Sequence, residues 1–582
     1  MSTKPLEINR RLKHDDLARE IGSHWHNWNS QRFGKIQEWK ELRNYLFATD
    51  TTTTSNSSLP WKNKTTLPKL CQIRDNLHSN YISALFPNDD WLKWEGYSLD
   101  DSIAAKSSAI EAYMSNKCRT GDFRQIISQL VLDYIDYGNA FATTDYVASY
   151  RTDANGKSVP IYIGPKARRI SPLDIVFNPL ASSFDESPKI IRSLVSIGEL
   201  YAKSEAEPDN AYLRDILERR KDILRRPGWY GFEDYDKNEG LQVDGFGSYF
   251  EYLNSGFVEL LTFYGDIYDH LTGEYLKSHR IVIMDRLWCI EKAPITQWLG
   301  NAPIYQAGWR TRPDNLWAMG PLDNLVGMQY RIDHLENLKA DAMDLAVLPP
   351  LVIAGDVEQF DYAPGAEIHI DEGGTVTELG RNAQWVIQAD NAISLLEQRM
   401  EMYAGAPREA MGIRTAGEKT AFEVQQLQNA AGRIFQEKIT HFEVMLVEKL
   451  LNAMLETSVR NMDGNDVVRA IDNDIGSTVF MTITRDDITA NGVLRPIGAR
   501  HFAAQSQLIQ NLSGIFNGAV GQMIAPHTSA ISMTRLVEDV MGLGRHELFK
   551  PFAALAEQQE MQSYAKQAEE DLMAQDQVPA PV

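Results

Sequence analysis

The segment closest to a known catalytic motif is Gly412–Thr420, which reads Gly-Ile-Arg-Thr-Ala-Gly-Glu-Lys-Thr. The phosphate-binding loop of ATPases needs a lysine directly after its second glycine, so that the ammonium group reaches the terminal phosphates. Glu418 occupies that position and brings a negative charge. The loop should also follow a buried strand, whereas residues 385–403 have helical spacing. The sequence therefore disfavours nucleotide binding, and predicts that Thr415 or Glu418 lies at a helix N-terminus, where acidic residues are favourable.

Other clusters of polar residues do not form a recognisable catalytic or metal site. His24 and His26 are two positions apart on a predicted helix and so do not share a face. Asp333, Asp341 and Asp344 lie on another predicted helix without a second acidic cluster nearby in sequence, which indicates a charged, solvated face. No nucleophile elbow, zinc-protease motif or Cys/His pattern occurs. We therefore assign no catalytic residue, metal ligand or cofactor, and expect that the chain is not an enzyme.

Composition and charge exclude further classes of protein. Cys71, Cys118 and Cys289 are odd in number and far apart, which predicts reduced thiols rather than disulfides or a zinc site. The N-terminus lacks the apolar core of a signal peptide, and runs such as Ile281–Met284 are too short to span a bilayer. We expect a soluble protein that is not secreted and does not contact a membrane.

The formal net charge of −21 argues against a protein that holds nucleic acid by neutralising phosphates. An acidic protein can still contact DNA as a wall that repels the backbone. The basic groups at 168–169 and 219–221 are interpreted as isolated surface charge. Trp25, Trp28 and Trp39 are predicted to anchor helix packing or a subunit interface.

The N-terminal half combines helices with antiparallel strands. Apolar residues three and four apart predict helices over 12–47, 66–86 and 123–137, while the polar run 51–58 is predicted to be a loop. From Ala140 the sequence changes to short β-branched and aromatic runs separated by turn residues, which predicts strands. Two helical segments, near 197–203 and 210–225, interrupt them.

The C-terminal half begins with a long helix. Residues 320–345 open with Gly320-Pro321 and contain no helix breaker before Pro349-Pro350, which predicts a helix about 37 Å long. Strands and turns, a helix over 385–403, a glycine-containing break and a long helix from about Lys419 to Val459 follow. Strands return near 466–485, and the chain is helical again from Ala499. The fold class is therefore α+β and mainly helical.

This order of elements resembles the portal proteins of tailed bacteriophages, which form the head-to-tail connector. Their stem, clip, stem, tunnel loop and long wing helix correspond to helix, small β module, helix, glycine-rich break and long helix. Residues 308–344 resemble the start of the stem, residues 406–439 the tunnel loop with its following helix, and residues 167–193 a β segment of the wing. The likeness covers most of residues 10–500, and its specificity lies in the ordered set.

The resemblance implies a division of the chain into named regions. They are an N-terminal wing at 1–319, stem helix 1 at 320–348, a β clip at 349–382, stem helix 2 at 383–404, a tunnel loop at 405–418, a long wing helix with a β segment at 419–498, and a helical crown with a disordered tail at 499–582.

The resemblance also implies a function. Portal subunits form a ring, usually a dodecamer, at one capsid vertex of the virion, and double-stranded DNA enters and leaves through its channel. The implied partners are other copies of the chain, the major capsid protein, the large terminase and then a tail adaptor, and assembly takes place in the host cytoplasm. The alternatives are another structural virion or scaffold protein without a DNA channel and, third, a nucleotide-hydrolysing enzyme.

Candidate site residues follow from these regions. The residues expected in the tunnel loop and the DNA channel are Arg408, Glu409, Met411, Arg414, Glu418 and Lys419. The residues expected to face the channel from the stem are Asp333, Glu336, Asp341 and Asp344. The residues expected to contact partners from the clip are Glu358, Gln359, Asp361 and Glu378.

Overall fold

The computed structural model describes residues 5–9, 12–86, 91–96, 101–152, 158–206, 211–225, 257–295, 303–347, 351–355, 373–378, 384–404, 435–462, 464–471, 478–489 and 491–496. Helices and strands both make up large parts of these residues, so the fold is α+β.

The α-helices of the described residues are α1 His14–Gln31, α2 Phe33–Leu46, α3 Lys69–Leu85, α4 Asp101–Thr120, α5 Phe123–Asp136, α6 Ile197–Ala206, α7 Ala211–Arg225, α8 Val326–Val347, α9 Gln384–Tyr403 and α10 Lys449–Asn461. Residues 435–442 are also helical and lead into a π-helical stretch, Glu443–Glu448, directly before α10. Short 3₁₀ turns occupy Thr51–Thr53, Ser55–Ser58 and Asp323–Leu325.

The strands of the described residues are β1 Leu6–Ile8, β2 Leu92–Gly96, β3 Asn139–Thr152, β4 Ser158–Ile170, β5 Ile175–Phe177, β6 Lys189–Ser196, β7 Phe257–Asp269, β8 Tyr275–Met284, β9 Trp288–Pro294, β10 Ile304–Gly308, β11 Arg310–Arg312, β12 Asn315–Met319, β13 Leu351–Ala354, β14 Thr375–Glu378, β15 Asp466–Ile471, β16 Thr478–Ile483 and β17 Gly492–Pro496. The largest sheet has the order β5-β6-β7-β8-β9 and is antiparallel, and β1 pairs parallel with the far end of β7. A second sheet has the order β10-β3-β4, and the remaining strands form pairs.

The chain divides into two compact units. The first contains residues 1–83 and 117–461, and the second contains residues 84–116 and 462–582. Within the second unit, β17 pairs antiparallel with β2, and β15 pairs antiparallel with β16.

The first unit has its core where helices cover the larger sheet. Leu17, Ile21 and Trp25 of α1 pack against apolar residues of β5 to β8, such as Phe263 and Ile281. Their spacing of four puts them on one face of the helix, as the sequence predicts. Burial of such a face is the main favourable contribution to folding. Trp25 therefore belongs to the core of the unit rather than to an exposed surface.

An aromatic cluster joins α2 to the second sheet. Trp39 lies edge-on to Trp317 with ring centres 5.6 Å apart, and Phe177 stacks on Trp317 at 4.6 Å. Phe141 of β3 completes the cluster. Such aromatic pairs contribute roughly 0.5–1.5 kcal/mol each beyond the area that they bury.

Three local features differ from the sequence predictions. Residues 51–58, predicted to be a loop, form two short 3₁₀ turns, and Asp50 caps the first through the N–H of Thr52. The apolar run 280–290, whose composition predicts one strand, is divided by a turn in which Asp285 and Arg286 have φ of 50° and 58°. Helix α8 was predicted to start after Pro321 but begins at Val326, because residues 321–325 form bends and a 3₁₀ turn.

Candidate functional site

Helices α8 and α9 form an antiparallel pair in the first unit. Lys339 of α8 donates to Asp390 of α9 at 2.9 Å. At one end, β13 follows α8 and β14 precedes α9, and these strands pair antiparallel, with Leu351 opposite Glu378. The helix pair therefore carries a pair of strands at one end. The order helix, strand, strand, helix matches the order predicted for 320–404.

The opposite end of the helix pair is fixed to α3. Lys69, the first residue of α3, donates to Glu401 of α9 at 2.6 Å, and both side chains are buried. The N–H of Leu70 donates to the Gln329 side chain of α8 at 3.2 Å. The same short segment thus contacts the first part of α8 and the last part of α9, which is the arrangement of an antiparallel pair.

A row of polar side chains runs along α8 and faces residues 62–70, which lead into the first turn of α3. We call this row the polar stripe. Its members are Gln329, Asp333, Asn337, Asp341 and Asp344, which are three or four residues apart and so share one side of the helix. Their partners lie more than 250 positions earlier in the chain.

The centre of the polar stripe binds the backbone of the 62–70 segment. Asp333 accepts from the N–H of Leu67 and from the hydroxyl of Thr66, both at 3.0 Å. Asn337 accepts from the N–H of Thr65 at 2.8 Å and donates to its carbonyl at 2.7 Å. These contacts satisfy backbone groups in the way that a neighbouring strand would.

The two ends of the stripe complete the contact. Asp341 accepts from the N–H of Asn63 at 3.0 Å and of Lys62 at 3.2 Å, and Asp344 accepts from the Asn63 amide at 2.8 Å. At the other end, the Gln329 amide donates to the carbonyl of Leu67 at 2.5 Å. The polar stripe therefore holds the 62–70 segment along most of α8.

Two carboxylates of the stripe, Asp333 and Asp341, differ in their environment. Burial raises the pKa of Asp333, and the hydrogen bonds from Leu67, Thr66 and Gln329 oppose that rise. Burial also acts to raise the pKa of Asp341, but the N–H groups of Asn63 and Lys62 dominate and lower it. Asp341 is thus held as a carboxylate, whereas Asp333 is a buried acceptor with a weaker preference for the charged form.

The start of α8 is placed by a close backbone contact. Gly138 has φ of +69°, and a Cβ at this position would lie 2.3 Å from the backbone nitrogen of Gly320. The N–H of Gly320 donates to Asp323 at 3.0 Å, and Lys35 binds the same carboxylate at 2.8 Å. Only glycine combines this conformation with such a close approach.

The helix pair also exposes many large apolar side chains. They are Tyr330, Leu338, Met343 and Val347 of α8 and Ile387, Leu395, Met402 and Tyr403 of α9. Val347 is 79% exposed. Exposed apolar groups that occur singly are normal, and this set is a candidate surface for contact with another molecule.

The four residues predicted to face the channel differ in burial and in hydrogen-bond partners. Asp333 is completely buried, so the prediction that it faces a channel is wrong. Its partners lie in a segment remote in sequence, which helical spacing alone does not reveal. Glu336 is half-buried and binds Lys339 at 2.7 Å. Asp341 and Asp344 are bound to Asn63, and Asp344 is exposed.

Most of the other candidate site residues lie outside the described residues. These are the tunnel-loop residues Arg408, Glu409, Met411, Arg414, Glu418 and Lys419, and the clip residues Glu358, Gln359 and Asp361. The segment Gly412–Thr420 and the predicted crown at 499–582 also lie outside them. Glu378 is the last residue of β14.

In each of two basic groups predicted to be isolated surface charge, one arginine is partly or fully buried. Arg169 donates to both oxygens of the buried Asp133, at 2.5 and 2.7 Å. Arg220 is buried and donates to Asp285 at 2.8 Å. The sequence-based interpretation is therefore wrong for these two arginines, because each acidic partner is distant in the chain. Runs of adjacent arginines gave no signal that could identify these pairs.

Within the described ranges, no group of three or more His, Cys, Asp or Glu residues is arranged to hold a metal ion. No described helix combines the length and the apolar character that a membrane span requires. No protein-family model matches the chain, and a search of curated proteins finds no match.

Proposed function

We propose that this chain is the subunit of a phage portal, a ring at one capsid vertex through which double-stranded DNA enters and leaves. The observation that carries the proposal is the antiparallel pair α8 and α9 with β13 and β14 at its shared end. Such a unit can line a channel with its helices and present its strands outward. The polar stripe and the Lys69–Glu401 ion pair support it, because they fix the helix pair to the rest of the unit.

The apolar surface of the helix pair supports self-association. A closed ring is built from head-to-tail contacts in which two different surfaces of each subunit meet. Exposed residues such as Leu338, Val347 and Ile387 become buried when neighbouring helix pairs pack side by side. Each fully buried side chain of this size contributes roughly 1.5–3 kcal/mol. Repeated around a ring, this contribution favours assembly.

The charge of the chain supports a passive conduit. A net charge of −21 repels the phosphate backbone, so DNA can slide without being held. On this proposal the terminase supplies the chemical energy and the portal supplies geometry. The large terminase and then the tail adaptor dock at the strand-bearing end, and the major capsid protein surrounds the ring in the virion, with assembly in the host cytoplasm.

Negative-stain electron microscopy of the purified full-length protein tests the proposal. Rings with a central hole, accompanied by a single high-mass species in sedimentation velocity, are the expected result. Compact monomers or closed shells at every protein concentration would contradict the portal function and favour another virion component. A phosphate-release assay on the same sample tests the ATPase alternative, and turnover by the protein alone would contradict a passive conduit.

A further inference from the structure

Lys189, the first residue of β6, occupies an apolar position on the larger sheet. It is 2% exposed and lies directly opposite Phe177 of β5 and Tyr264 of β7. Directly opposite residues in a sheet point to the same face, so Lys189 shares its face with these two rings and with Ile191 two positions later. Phe177 and Ile191 belong to the aromatic cluster around Trp317. A lysine therefore stands where the pattern of the sheet calls for an apolar side chain.

Neutral groups surround the ammonium group of Lys189. It donates to the carbonyls of Ser187 at 3.1 Å and Asp185 at 3.4 Å, and it lies 4.5 Å from the ring centre of Phe184. The Asp185 carboxylate is paired instead with Lys449 of α10, at 3.3 Å. Among the described residues, no carboxylate forms an ion pair with Lys189. Two carbonyl dipoles and a ring therefore compensate the buried charge in place of a counter-ion.

Burial of this charge is unfavourable. A buried ammonium group without an ionic partner loses hydration that two carbonyls replace only in part. Burial accordingly lowers the pKa of Lys189 from its ordinary 10.5 to about 8, against the opposing effect of Asp185. At neutral pH the group is still protonated, so the folded chain holds an unfavourable charge there. The neutral amine keeps two N–H groups, so loss of the proton removes the charge and leaves both hydrogen bonds possible.

Residues 178–188, which connect β5 to β6, wrap around the ammonium group, and we call them the cover loop. The loop consists of turns and bends. The N–H of Ala181 donates to the carbonyl of Asn178 at 3.2 Å, and the N–H of Ser187 donates to that of Phe184 at 3.3 Å. Such local bonds break without disturbing the sheets, so the loop can open as a small unit.

The cover loop also contacts other elements. The carbonyl of Pro179 accepts from the N–H of Leu316 at 2.9 Å. The ion pair of Asp185 is partly exposed, and pairs of this kind contribute little to stability. At the end of the loop, Pro188 packs closely on β7, because a Cβ added at Gly265 would lie 3.0 Å from the Cα of Pro188. Opening is therefore expected in the part of the loop before Pro188.

We propose that the cover loop is a pH-sensitive device, which opens readily to hydrate Lys189 while that residue is protonated and closes firmly once Lys189 is neutral. Opening breaks the pair of Asp185 with Lys449 and moves Phe184 away from Phe177, whose ring centre is 5.1 Å away. The closed loop binds the proton less tightly than the open loop. Opening is therefore favoured below about pH 8 and becomes less favourable as pH rises above it. This inference does not depend on the proposed function.

Other titratable groups near the loop do not produce this dependence. The charged and titratable groups on the loop and on the elements around it are Asp185 and Glu186 of the loop, Tyr264 of β7, Tyr305 of β10, and Lys449 and Glu456 of α10. Burial raises the pKa of both tyrosines, which keeps them neutral. Loss of the Lys449 charge would weaken its pair with Asp185 and favour opening, which is opposite to the effect of Lys189.

Hydrogen exchange of the full-length protein, resolved to single amides by mass spectrometry with gas-phase fragmentation, tests the proposal without a variant. After correction for intrinsic rates, protection of the Ala181 and Ser187 amides should increase about tenfold from about pH 7 to about pH 9. The amide of Gly273, which donates to Asp269 in the turn between β7 and β8, is the reference and should not change. Constant or decreasing protection of Ala181 and Ser187 relative to Gly273 would overturn the proposal.

Two substitutions at position 189 separate the charge from the packing of the side chain. Lys189→Met keeps a long side chain without a charge, so at about pH 7 the loop amides should exchange about tenfold more slowly than in the native protein. Lys189→Arg keeps the charge throughout, so protection should not increase up to about pH 9. Circular dichroism checks that both variants are folded. Faster exchange in a folded Lys189→Met variant would mean that the ammonium group holds the loop closed, which contradicts the proposal.

Lys449→Gln is the matched control, because it removes the ion pair on the outside of the same loop and leaves the buried charge in place. Exchange of the loop amides should increase by less than about fivefold, and its dependence on pH should remain. If Lys449→Gln abolished the dependence on pH while Lys189→Met retained it, the titrating group would be Lys449, and the assignment to Lys189 would be wrong.

Discussion

The carboxylate of Asp333 connects two parts of the chain that are remote in sequence. It accepts from the backbone of Leu67, the hydroxyl of Thr66 and the amide of Gln329. Asp333→Ala leaves these buried donors without an acceptor, so we expect a loss of about 2–3 kcal/mol in the free energy of unfolding. Asp344→Ala, at the exposed end of the same stripe, should cost less than about 1 kcal/mol. Urea denaturation of both variants measures the difference, and equal losses would contradict the role of Asp333.

Two glycines with similar positive φ allow two destabilising effects to be measured separately: the strain of a left-handed backbone and the clash of an added Cβ with another backbone. Gly138 and Gly273 have φ of +69° and +71°, but only Gly138 faces another backbone. Gly273→Ala should cost about 1 kcal/mol, the usual cost of a left-handed conformation for a residue with a Cβ. Gly138→Ala should cost several kcal/mol, roughly 3 or more, because its Cβ would displace the start of α8. Similar unfolding temperatures for the two variants would show that the contact with Gly320 yields easily.

The buried carboxylate of Asp133 should make stability depend on pH. Burial raises its pKa to about 6, against the opposing effect of Arg169. The native state therefore binds a proton more tightly than the unfolded chain, so the contribution of Asp133 grows as pH falls below about 6 and is lost as pH rises through that value. The unfolding free energy of the native protein minus that of Asp133→Asn should increase by on the order of 1–3 kcal/mol from about pH 7 to about pH 4. A decrease over this range would mean that Arg169 outweighs burial.

Single residues also show what the sequence could not predict. The helical position of Asp333 follows from local spacing, but its burial depends on the 62–70 segment. Arg169 and Arg220 read as surface charge because their partners Asp133 and Asp285 are 36 and 65 positions away. A buried ion pair has no local signature, since each member alone looks like a solvated residue.

At the level of secondary-structure elements, the periodic segments were the most predictable. The helix predicted at 385–403 is present as Gln384–Tyr403, and the strands predicted near Val258 and Val479 are present. These patterns depend on neighbours within a few residues. The start of α8 was predicted too early, because Gly320 and Asp323 form a capped turn that resembles a helix start in sequence. Strand pairings such as β1 with β7 depend on distant residues and were not predicted.

The attachment of α9 to α3 can be tested through its ion pair. Lys69 and Glu401 are both buried, and removal of one leaves the other as an uncompensated charge. Lys69→Met or Glu401→Leu alone should therefore destabilise the fold by about 3–5 kcal/mol. The double variant replaces the pair with apolar side chains and should recover most of this loss. Chemical denaturation of the four proteins gives the coupling, and additive losses in the double variant would contradict a buried, coupled pair.

At the scale of the whole molecule, charge and self-association oppose each other. Each copy carries a net charge of −21, so copies that approach to form a ring repel one another. The distance over which this repulsion acts falls from about 30 Å at 0.01 M salt to about 8 Å at 0.15 M. Apolar contacts made by residues such as Val347 and Ile387 are not weakened by this screening.

Ring assembly should therefore increase with salt between these two concentrations. Sedimentation velocity at one fixed protein concentration should show a larger assembled fraction at about 0.15 M than at about 0.01 M salt, because screening removes the repulsion and leaves the apolar attraction. A variant with fewer surface carboxylates, Glu274→Gln with Asp314→Asn, should assemble more readily at low salt and respond less to added salt. Both residues are exposed and lie outside the helix pair and the polar stripe, so their neutralisation lowers the repulsion without disturbing either. If rings dissociate as salt is added over this range, attraction between charges dominates the contact, and apolar burial is not the main source of assembly.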